Sequence, residues 1–225
     1  MQSKVIALIV GIVVLAGVVL AIVLTRGDDE SPEPATQTAE NGCETAEKPE
    51  PKTGLSLEAP AEDSELSPGD AATAVVETSC GSFSIELDTD RAPITANSFA
   101  YLANQGFYDN QFFHRIAPGF VIQGGDPLGT GSGGPGYSVD EAPPQNLQYT
   151  RGIVAMAKSA AEPPGRSGSQ FFVVTGAAAP LPPDYALVGK VSDGLDVVET
   201  IGELGNPQEQ PTETIVIESV TIEEG

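Results

Sequence analysis

The chain has 225 residues, enough for one globular domain of ordinary size with extensions. Its 25 glycines, its 19 prolines and the absence of tryptophan suit a turn-rich β protein better than a helical bundle. The formal net charge of -22 argues against nucleic-acid binding, because phosphates require clustered Lys and Arg side chains. We interpret this charge as a solvated, mutually repelling surface.

An uncharged apolar run, residues 5–24, follows a short N-terminal tail, residues 1–4. About 20 apolar residues at roughly 1.5 Å each match a hydrocarbon core of ~30 Å, so we predict one transmembrane helix. A cleaved signal peptide is the alternative. Its apolar region is shorter, at roughly 7–15 residues, and small residues mark its cleavage site. Here a charged stretch beginning at Arg26 follows, which favours an uncleaved anchor.

The charges flanking the apolar run bear on its orientation. Lys4 and the terminal amine lie on one side, and Arg26 lies on the other beside carboxylates that count little in the positive-inside rule. The balance favours a cytoplasmic N-terminus. We therefore expect a single-pass protein of the cell membrane with an extracytoplasmic domain.

Residues 25–70 are rich in Glu, Asp, Pro, Thr and Ala and contain few large apolar side chains. Such a segment buries too little apolar surface to offset its ordering entropy, so we predict an acidic, extended tether. Within it, residues 54–58 alternate between apolar and polar side chains, which suits docking as an edge strand.

The two cysteines are Cys43 in the tether and Cys80 beside the first predicted hairpin. Two thiols without a second histidine are a poor metal site, and we expect no metal. Two free thiols are the alternative to a disulfide. A disulfide is favoured in an extracytoplasmic domain, because that compartment is oxidising. It would pin the far end of the tether to the domain.

The compact domain is expected to span residues 71–225. Its helical patterns lie at 94–105 and 193–204. Its strand patterns lie at 74–78, 83–87, 120–123, 151–157, 170–175, 186–191 and 214–222. Several short strands with two helices fit a closed antiparallel barrel better than a parallel α/β sheet. Alternation along the strand at 120–123 predicts Phe120 with Ile122 on one face and Val121 with Gln123 on the other.

A glycine-rich stretch, residues 129–134, formally matches the G-x-G-x-x-G fingerprint. Dinucleotide binding requires a helix that opens at the third glycine within a βαβ unit. Here Pro135-Gly136 follows instead, so we interpret the stretch as a surface loop whose glycines supply positive φ. We expect no cofactor.

Two sequence blocks carry the functional signal. Residues 112–126 read FFHRIAPGFVIQGGD, and residues 168–172 read GSQFF. In this order and spacing they resemble the FHR…F-x-x-QGGD and GSQFF segments of cyclophilin-type peptidyl-prolyl cis-trans isomerases. The resemblance covers residues 71–225. It implies a mainly β fold, a closed eight-stranded antiparallel barrel capped by two helices.

The implied reaction is rotation about X–Pro peptide bonds. The barrier is ~18–20 kcal/mol because resonance gives the C–N bond double-bond character. Uncatalysed exchange takes tens to hundreds of seconds, and no nucleophile is needed to accelerate it. A catalyst must weaken the resonance and hold the twisted state while an apolar pocket grips the proline ring. An arginine suits this task, because it stays charged and offers five donors in a fixed fork.

The resemblance implies roles for particular side chains. Arg115 matches the catalytic arginine, and Gln123 matches the glutamine that orients it and the substrate backbone. The implied substrate-binding residues are Phe120, Val121, Ala157, Phe172, Leu181 and Tyr185. Among them, Val121 replaces a methionine often found in the family, and Tyr185 replaces a histidine. The tyrosine ring can still cover the proline, and its hydroxyl can still donate.

Other positions depart from the family pattern or invite a different reading. Pro180 stands where the best-known eukaryotic members have a tryptophan that helps to bind cyclosporin, so we expect weak or no cyclosporin binding. Lys158 replaces an asparagine whose backbone contacts substrate. His114, the single histidine, lacks partners for metal binding or a serine-protease triad, and we interpret it as a structural hydrogen-bonding residue.

The sequence therefore predicts a bacterial, membrane-anchored isomerase that acts as a monomer on X–Pro bonds of exported, proline-containing polypeptides. One alternative is a non-catalytic, membrane-tethered chaperone module that binds peptides in the same groove. The other is a scaffold protein whose function lies in the acidic tether.

Overall fold

The computed structural model describes residues 42–225. The predicted transmembrane segment, residues 5–24, and the beginning of the tether lie outside the described residues. Within 42–225, neither helix has the length and apolar character that a bilayer-spanning segment needs.

Eleven strands and two helices make up the described part of the chain. The strands are β1 (Ala72–Thr78), β2 (Gly81–Leu87), β3 (Gln111–Phe112), β4 (Arg115–Ala117), β5 (Val121–Gly124), β6 (Val139–Asp140), β7 (Ile153–Met156), β8 (Arg166–Ser167), β9 (Phe171–Val174), β10 (Leu187–Asp193) and β11 (Val216–Glu224). The helices are α1 (Pro93–Asn104) and α2 (Leu195–Glu203). Both predicted helices and all seven predicted strands are present, with shifted ends. The sequence patterns missed the short strands β3, β4, β6 and β8.

Nine strands form one curled antiparallel sheet, a half-barrel, in the order β3-β11-β1-β2-β10-β7-β9-β5-β4. Strands β6 and β8 form a separate two-stranded ribbon. The prediction of a closed eight-stranded barrel was therefore wrong in strand number and closure. The reason lies in the first sequence block: β3 pairs with β11 and β4 pairs with β5. Phe113 and His114 separate these two pairings, so β3 and β4 become the edges of the sheet.

The inner side of the sheet packs against α1 through large aromatic side chains. Phe99 of α1 contacts Phe171 of β9 edge to face, with ring centroids 5.6 Å apart. Tyr108 and Phe113 complete this cluster, and all four side chains are fully buried. Pro93 begins the helix, where its missing N–H costs no hydrogen bond. Phe171 thus faces the core, so its neighbour Phe172 points to the opposite side of the sheet.

Strand β5 begins at Val121, one residue later than predicted. Phe120 closes a turn in which its N–H donates to the Ala117 carbonyl at 3.0 Å. Alternation therefore does not apply to Phe120. It packs with Val121, whereas Ile122 lies in the main core. The predicted pairing of Phe120 with Ile122 on one face was wrong for this reason.

Residues 42–70, here called the docked segment, lie along the domain as irregular backbone with several turns. The predicted disulfide between Cys43 and Cys80 is present, and both Cys43 and Leu66 are buried. The Lys52 N–H donates to the Pro127 carbonyl at 2.8 Å, and the Leu57 N–H donates to the Pro135 carbonyl at 2.7 Å. We predicted an edge strand at 54–58, and these residues form no strand.

Candidate active site

One row of side chains crosses the outer face of the sheet. Arg115 of β4 lies directly opposite Gln123 of β5, and Gln123 lies opposite Phe172 of β9. Phe172 in turn lies opposite Ala155 of β7. Directly opposed residues of antiparallel strands point to the same face, so the register alone places the guanidinium, the amide and the aromatic ring side by side.

The polar end of this row is a directed chain of hydrogen bonds. Arg115 Nη1 donates to Gln123 Oε1 at 3.1 Å. Since an arginine can only donate, this bond leaves Gln123 Nε2 free to donate onward to Gln170 Oε1 at 3.0 Å. Gln170 Nε2 then donates to the Gly133 carbonyl at 2.9 Å. The chain therefore links Arg115 to the glycine-rich loop and fixes the orientation of both amides.

A carboxylate holds the other side of the guanidinium. Arg115 Nε and Nη2 both lie 2.7 Å from Glu209 Oε2. Glu209 belongs to the loop between α2 and β11, 94 residues from Arg115 in the chain. No motif marks this loop, and sequence reasoning did not identify the contact.

The apolar end of the row is a single cluster that contains all six predicted substrate-binding residues: Phe120, Val121, Ala157, Phe172, Leu181 and Tyr185. Val121 and Phe172 are buried, whereas Phe120 and Tyr185 are partly exposed. The Arg115 guanidinium carbon lies 5.8 Å from the centre of the Phe120 ring. The cation therefore sits at the rim of the apolar cluster.

Tyr149, which sequence reasoning also missed, anchors Tyr185. The Tyr149 hydroxyl donates to the Tyr185 carbonyl at 2.7 Å and accepts from the Tyr185 N–H at 3.0 Å. Burial raises the pKa of Tyr149 to about 12, so the hydroxyl stays protonated and keeps donating. The Tyr185 ring meets Phe172 edge to face, with centroids 5.6 Å apart. Lys158 Nζ lies 5.5 Å from the centre of the same Tyr185 ring.

Asp126 organises the glycine-rich loop beside the row. Its carboxylate accepts backbone N–H bonds from Leu128, Thr130, Gly131 and Ser132. Burial alone raises the pKa of Asp126, but the backbone donors outweigh it and hold the pKa below its usual range. The loop borders a cleft of about 730 Å³ that opens beside Gln123 and Gln170.

His114 lies next to this site with a partly buried imidazole. Burial lowers its pKa, the Asp126 carboxylate raises it and the Arg115 cation lowers it further. Neither ring nitrogen hydrogen-bonds to a protein group within residues 42–225. The structure thus shows no protein partner in this range for the hydrogen-bonding role that we predicted for His114. In the same range, no group of three His, Cys, Asp or Glu side chains is placed to hold a metal ion.

The Arg115 guanidinium and the apolar cluster together can bind a peptide. Guanidinium N–H groups at the rim of an apolar cluster can bind a segment in which polar backbone atoms adjoin an apolar ring. The cleft beside Gln123 offers room for the neighbouring residues of such a segment. Among the described residues of the site, no nucleophile is paired with a base, so the arrangement suits binding and polarisation of a peptide rather than covalent chemistry.

Comparisons with known proteins bear on the family of this chain. The family model for cyclophilin-type peptidyl-prolyl cis-trans isomerases matches residues 73–222. The chain is 37% identical over 161 residues to peptidyl-prolyl cis-trans isomerase-like 1 of Aspergillus fumigatus, covering 69% of this chain and 98% of that protein. It is 40% identical over 177 residues to the probable peptidyl-prolyl cis-trans isomerase A of Mycobacterium bovis, covering 69% and 94%.

A solved structure shows the same fold. A cyclophilin-type isomerase of Cryptosporidium parvum, crystallised in the presence of the dipeptide Ala-Pro, superposes with a TM-score of 0.63 at 32% sequence identity. The match covers 68% of this chain and 99% of that one. The family match, the curated relatives and the shared fold together establish that this chain belongs to the cyclophilin-type peptidyl-prolyl cis-trans isomerases and is an isomerase.

Proposed function

We propose that Arg115 catalyses X–Pro rotation by donating hydrogen bonds to the prolyl peptide while the apolar cluster grips the proline ring. The observation that carries this proposal is the row from Arg115 through Gln123 to Phe172. It brings a permanently charged donor and an apolar wall to one face of the sheet. Gln123 takes the orienting role, since it receives a hydrogen bond from Arg115 and faces the cleft.

The physical basis is selective stabilisation of the twisted state. In a planar amide the nitrogen lone pair is delocalised and accepts hydrogen bonds poorly. Twisting the C–N bond localises that lone pair, so a donor aimed at the nitrogen binds the transition state more strongly than the ground state. Removing one preorganised donor of this kind costs roughly 100- to 1,000-fold in other enzymes.

The pocket has the complementary task of holding one half of the rotating bond still. Phe172 and Tyr185 meet edge to face and offer flat apolar surfaces to a pyrrolidine ring. Tyr149 fixes the backbone of Tyr185 by two hydrogen bonds. A fixed ring lets the rest of the peptide turn against it. The relative crystallised with Ala-Pro supports proline-containing polypeptides as substrates.

We further propose that the enzyme is a bacterial, monomeric, single-pass membrane protein that acts on extracytoplasmic clients. The apolar run at residues 5–24 supports the anchor, and the Cys43–Cys80 disulfide supports an oxidising compartment. Pro180 supports weak or no cyclosporin binding. Alkaline extraction of cell membranes tests the anchor: release of the full chain into the soluble fraction contradicts it.

A proline-limited refolding assay with the full chain in detergent tests the catalytic assignment. We expect Arg115→Ala to lower kcat/KM by about 100-fold, because the preorganised donor is lost. Arg115→Lys should retain little more activity than Arg115→Ala, because an ammonium group lacks the planar array of donors of a guanidinium. Wild-type rates for Arg115→Ala would overturn the assignment. A wild-type chain that binds prolyl peptides without accelerating their exchange would favour the non-catalytic chaperone module.

A further inference from the structure

We propose that Glu209 is a positioning residue for the isomerase reaction. Its carboxylate holds the Arg115 guanidinium against Gln123, so that the remaining donors point at the prolyl peptide. The inference rests on the catalytic assignment of Arg115 in the proposed function. It adds a residue from a different part of the chain, outside both sequence blocks that identify the family.

The donors of Arg115 can be counted one by one. Nε carries a single N–H, and Glu209 Oε2 lies 2.7 Å from it. The same oxygen lies 2.7 Å from Nη2, and Gln123 Oε1 lies 3.1 Å from Nη1. Each terminal nitrogen carries two N–H groups, so one on each remains for substrate. Both edges of the planar guanidinium are thus held, which leaves little freedom of rotation.

The backbone around Glu209 supports this role independently of the side-chain contacts. Glu209 has φ 61°, a left-handed conformation that non-glycine residues rarely adopt. Its N–H donates to the Asn206 carbonyl at 2.9 Å. Its own carbonyl accepts the Ile116 N–H at 3.0 Å. Ile116 directly follows Arg115, so backbone and side chain of Glu209 both grip strand β4.

The left-handed backbone at position 209 makes it informative that a glutamate, and not a glycine, occupies this position. Glycine adopts this conformation without steric cost, so a glutamate here costs stability relative to glycine. A strained residue points to a use for its side chain. The ion pair is partly exposed, with 33% of the Arg115 side chain and 47% of the Glu209 side chain accessible. Exposed pairs add little stability, so orientation of the guanidinium is the more important effect.

Substitutions of Glu209 distinguish a role in orienting Arg115 from a role in stabilising the fold. We expect Glu209→Gln and Glu209→Gly each to lower kcat about three- to ten-fold with a smaller change in KM, the size of effect that a misplaced catalytic group produces or exceeds. Glu209→Gly should at the same time raise Tm, because it relieves the left-handed strain. A merely structural glutamate gives the opposite result, a loss of Tm with unchanged kcat. Glu209→Asp should recover part of the activity.

The matched control is Glu199→Gln. Glu199 forms an ion pair with Arg151 at 2.8 Å with similar exposure, 42% and 48% of the side chains. This variant should retain the wild-type kcat. A nitrogen NMR signal of Arg115 Nε in the free enzyme should shift and broaden in Glu209→Gln and stay unchanged in Glu199→Gln.

The salt dependence of kcat, measured for the wild type and Glu209→Gln, gives a second readout. Raising the ionic strength to about 1 M contracts the Debye length to about 3 Å and weakens an exposed ion pair. The ratio of wild-type kcat to that of Glu209→Gln should therefore fall toward one. A ratio that stays constant with salt contradicts an electrostatic role for Glu209.

The outcomes distinguish this inference from the proposed function. If Arg115→Ala is inactive while both Glu209→Gln and Glu209→Gly match the wild-type kcat, the positioning role is overturned and the catalytic arginine stands. If Arg115→Ala keeps wild-type activity, the catalytic arginine itself fails. A lowered kcat in the Glu209 variants with an unchanged Arg115 Nε signal also overturns the positioning role.

Discussion

Two regions meet at the glycine-rich loop, and they reach it by different kinds of contact. The row of site residues that contains Arg115 and Gln123, here called the site row, contacts the loop through side chains, because Gln170 Nε2 donates to the Gly133 carbonyl. The docked segment reaches the end of this loop through its backbone, where the Leu57 N–H donates to the carbonyl of Pro135, the residue after the loop. Strand register holds the first, whereas a disulfide, backbone bonds and a few side-chain bonds, such as those of Lys52 and Asn97, hold the second. The site is therefore part of the sheet itself, whereas the docked segment contributes no strand to that sheet and is attached to the domain by these contacts.

The largest effect is expected at the apolar end of the row. Phe172→Ala removes a buried ring and should cost about 3–5 kcal/mol of the free energy of unfolding as well as the proline pocket. We therefore expect lower stability in denaturant titration and a higher KM together. Phe172→Leu is the control, since it keeps most of the volume and should cost less than about 1.5 kcal/mol. Unchanged KM in Phe172→Ala would separate Phe172 from substrate binding.

Removal of the disulfide should affect stability without affecting catalysis. The double variant Cys43→Ser/Cys80→Ser opens a loop with a sequence separation of 37 residues. The chain-entropy model gives a loss of roughly 3–4 kcal/mol in the free energy of unfolding. We expect kcat to stay near the wild-type value, because none of the hydrogen bonds of the site row involves either cysteine. A large loss of kcat with intact folding would show that the docked segment supports the site.

A smaller effect is expected where the docked segment crosses the loop that follows α1. Lys52 Nζ donates to the carbonyls of Phe107 and Asp109, and burial lowers its pKa although Asp109 raises it. Lys52→Met keeps the stem and removes the donors, at a cost of about 1–3 kcal/mol for carbonyls left without them. Hydrogen exchange should then accelerate across residues 44–57. Lys190→Met, at an exposed strand position, is the control and should leave that exchange unchanged.

The smallest effect concerns the pH dependence of stability. Burial lowers the pKa of His114 in the folded chain below its value of 6.5 in an unfolded one. The unfolded chain therefore binds the proton first, and stability is lost as the pH falls from above 6.5 through the folded pKa. We expect His114→Gln to flatten the stability profile between about pH 7 and pH 5, where carboxylates remain charged. An equally steep profile in the variant would contradict this assignment.

The predictability of each region follows from the kind of contact that builds it. Arg115, Gln123 and Phe172 lie in two short blocks, and strand alternation turns their spacing into a shared face. The fold class followed from the same short-strand patterns. The division of the first block into β3 and β4 could not be predicted from the sequence. The pairing of β3 with β11 depends on residues about 100 positions away.

The backbone contacts of the docked segment and the Glu209–Arg115 contact were beyond sequence reasoning for related reasons. The bonds of Lys52 and Leu57 to loop carbonyls use backbone N–H groups that every non-proline residue has. An acidic, proline-rich composition therefore gave no sign of these particular bonds, although the two cysteines and the alternation at 54–58 did indicate that part of the segment docks. Glu209 is one of 32 acidic residues, and only the fold brings it to Arg115.

Exchange NMR on an Ala-Pro-containing peptide tests the central claim most directly. The full-length wild type and Arg115→Ala are compared in detergent at equal saturation with the peptide. The account predicts that the variant binds the peptide with a similar Kd, through the intact apolar cluster, while cis–trans exchange slows by about 100-fold. Equal exchange rates at equal saturation would contradict it.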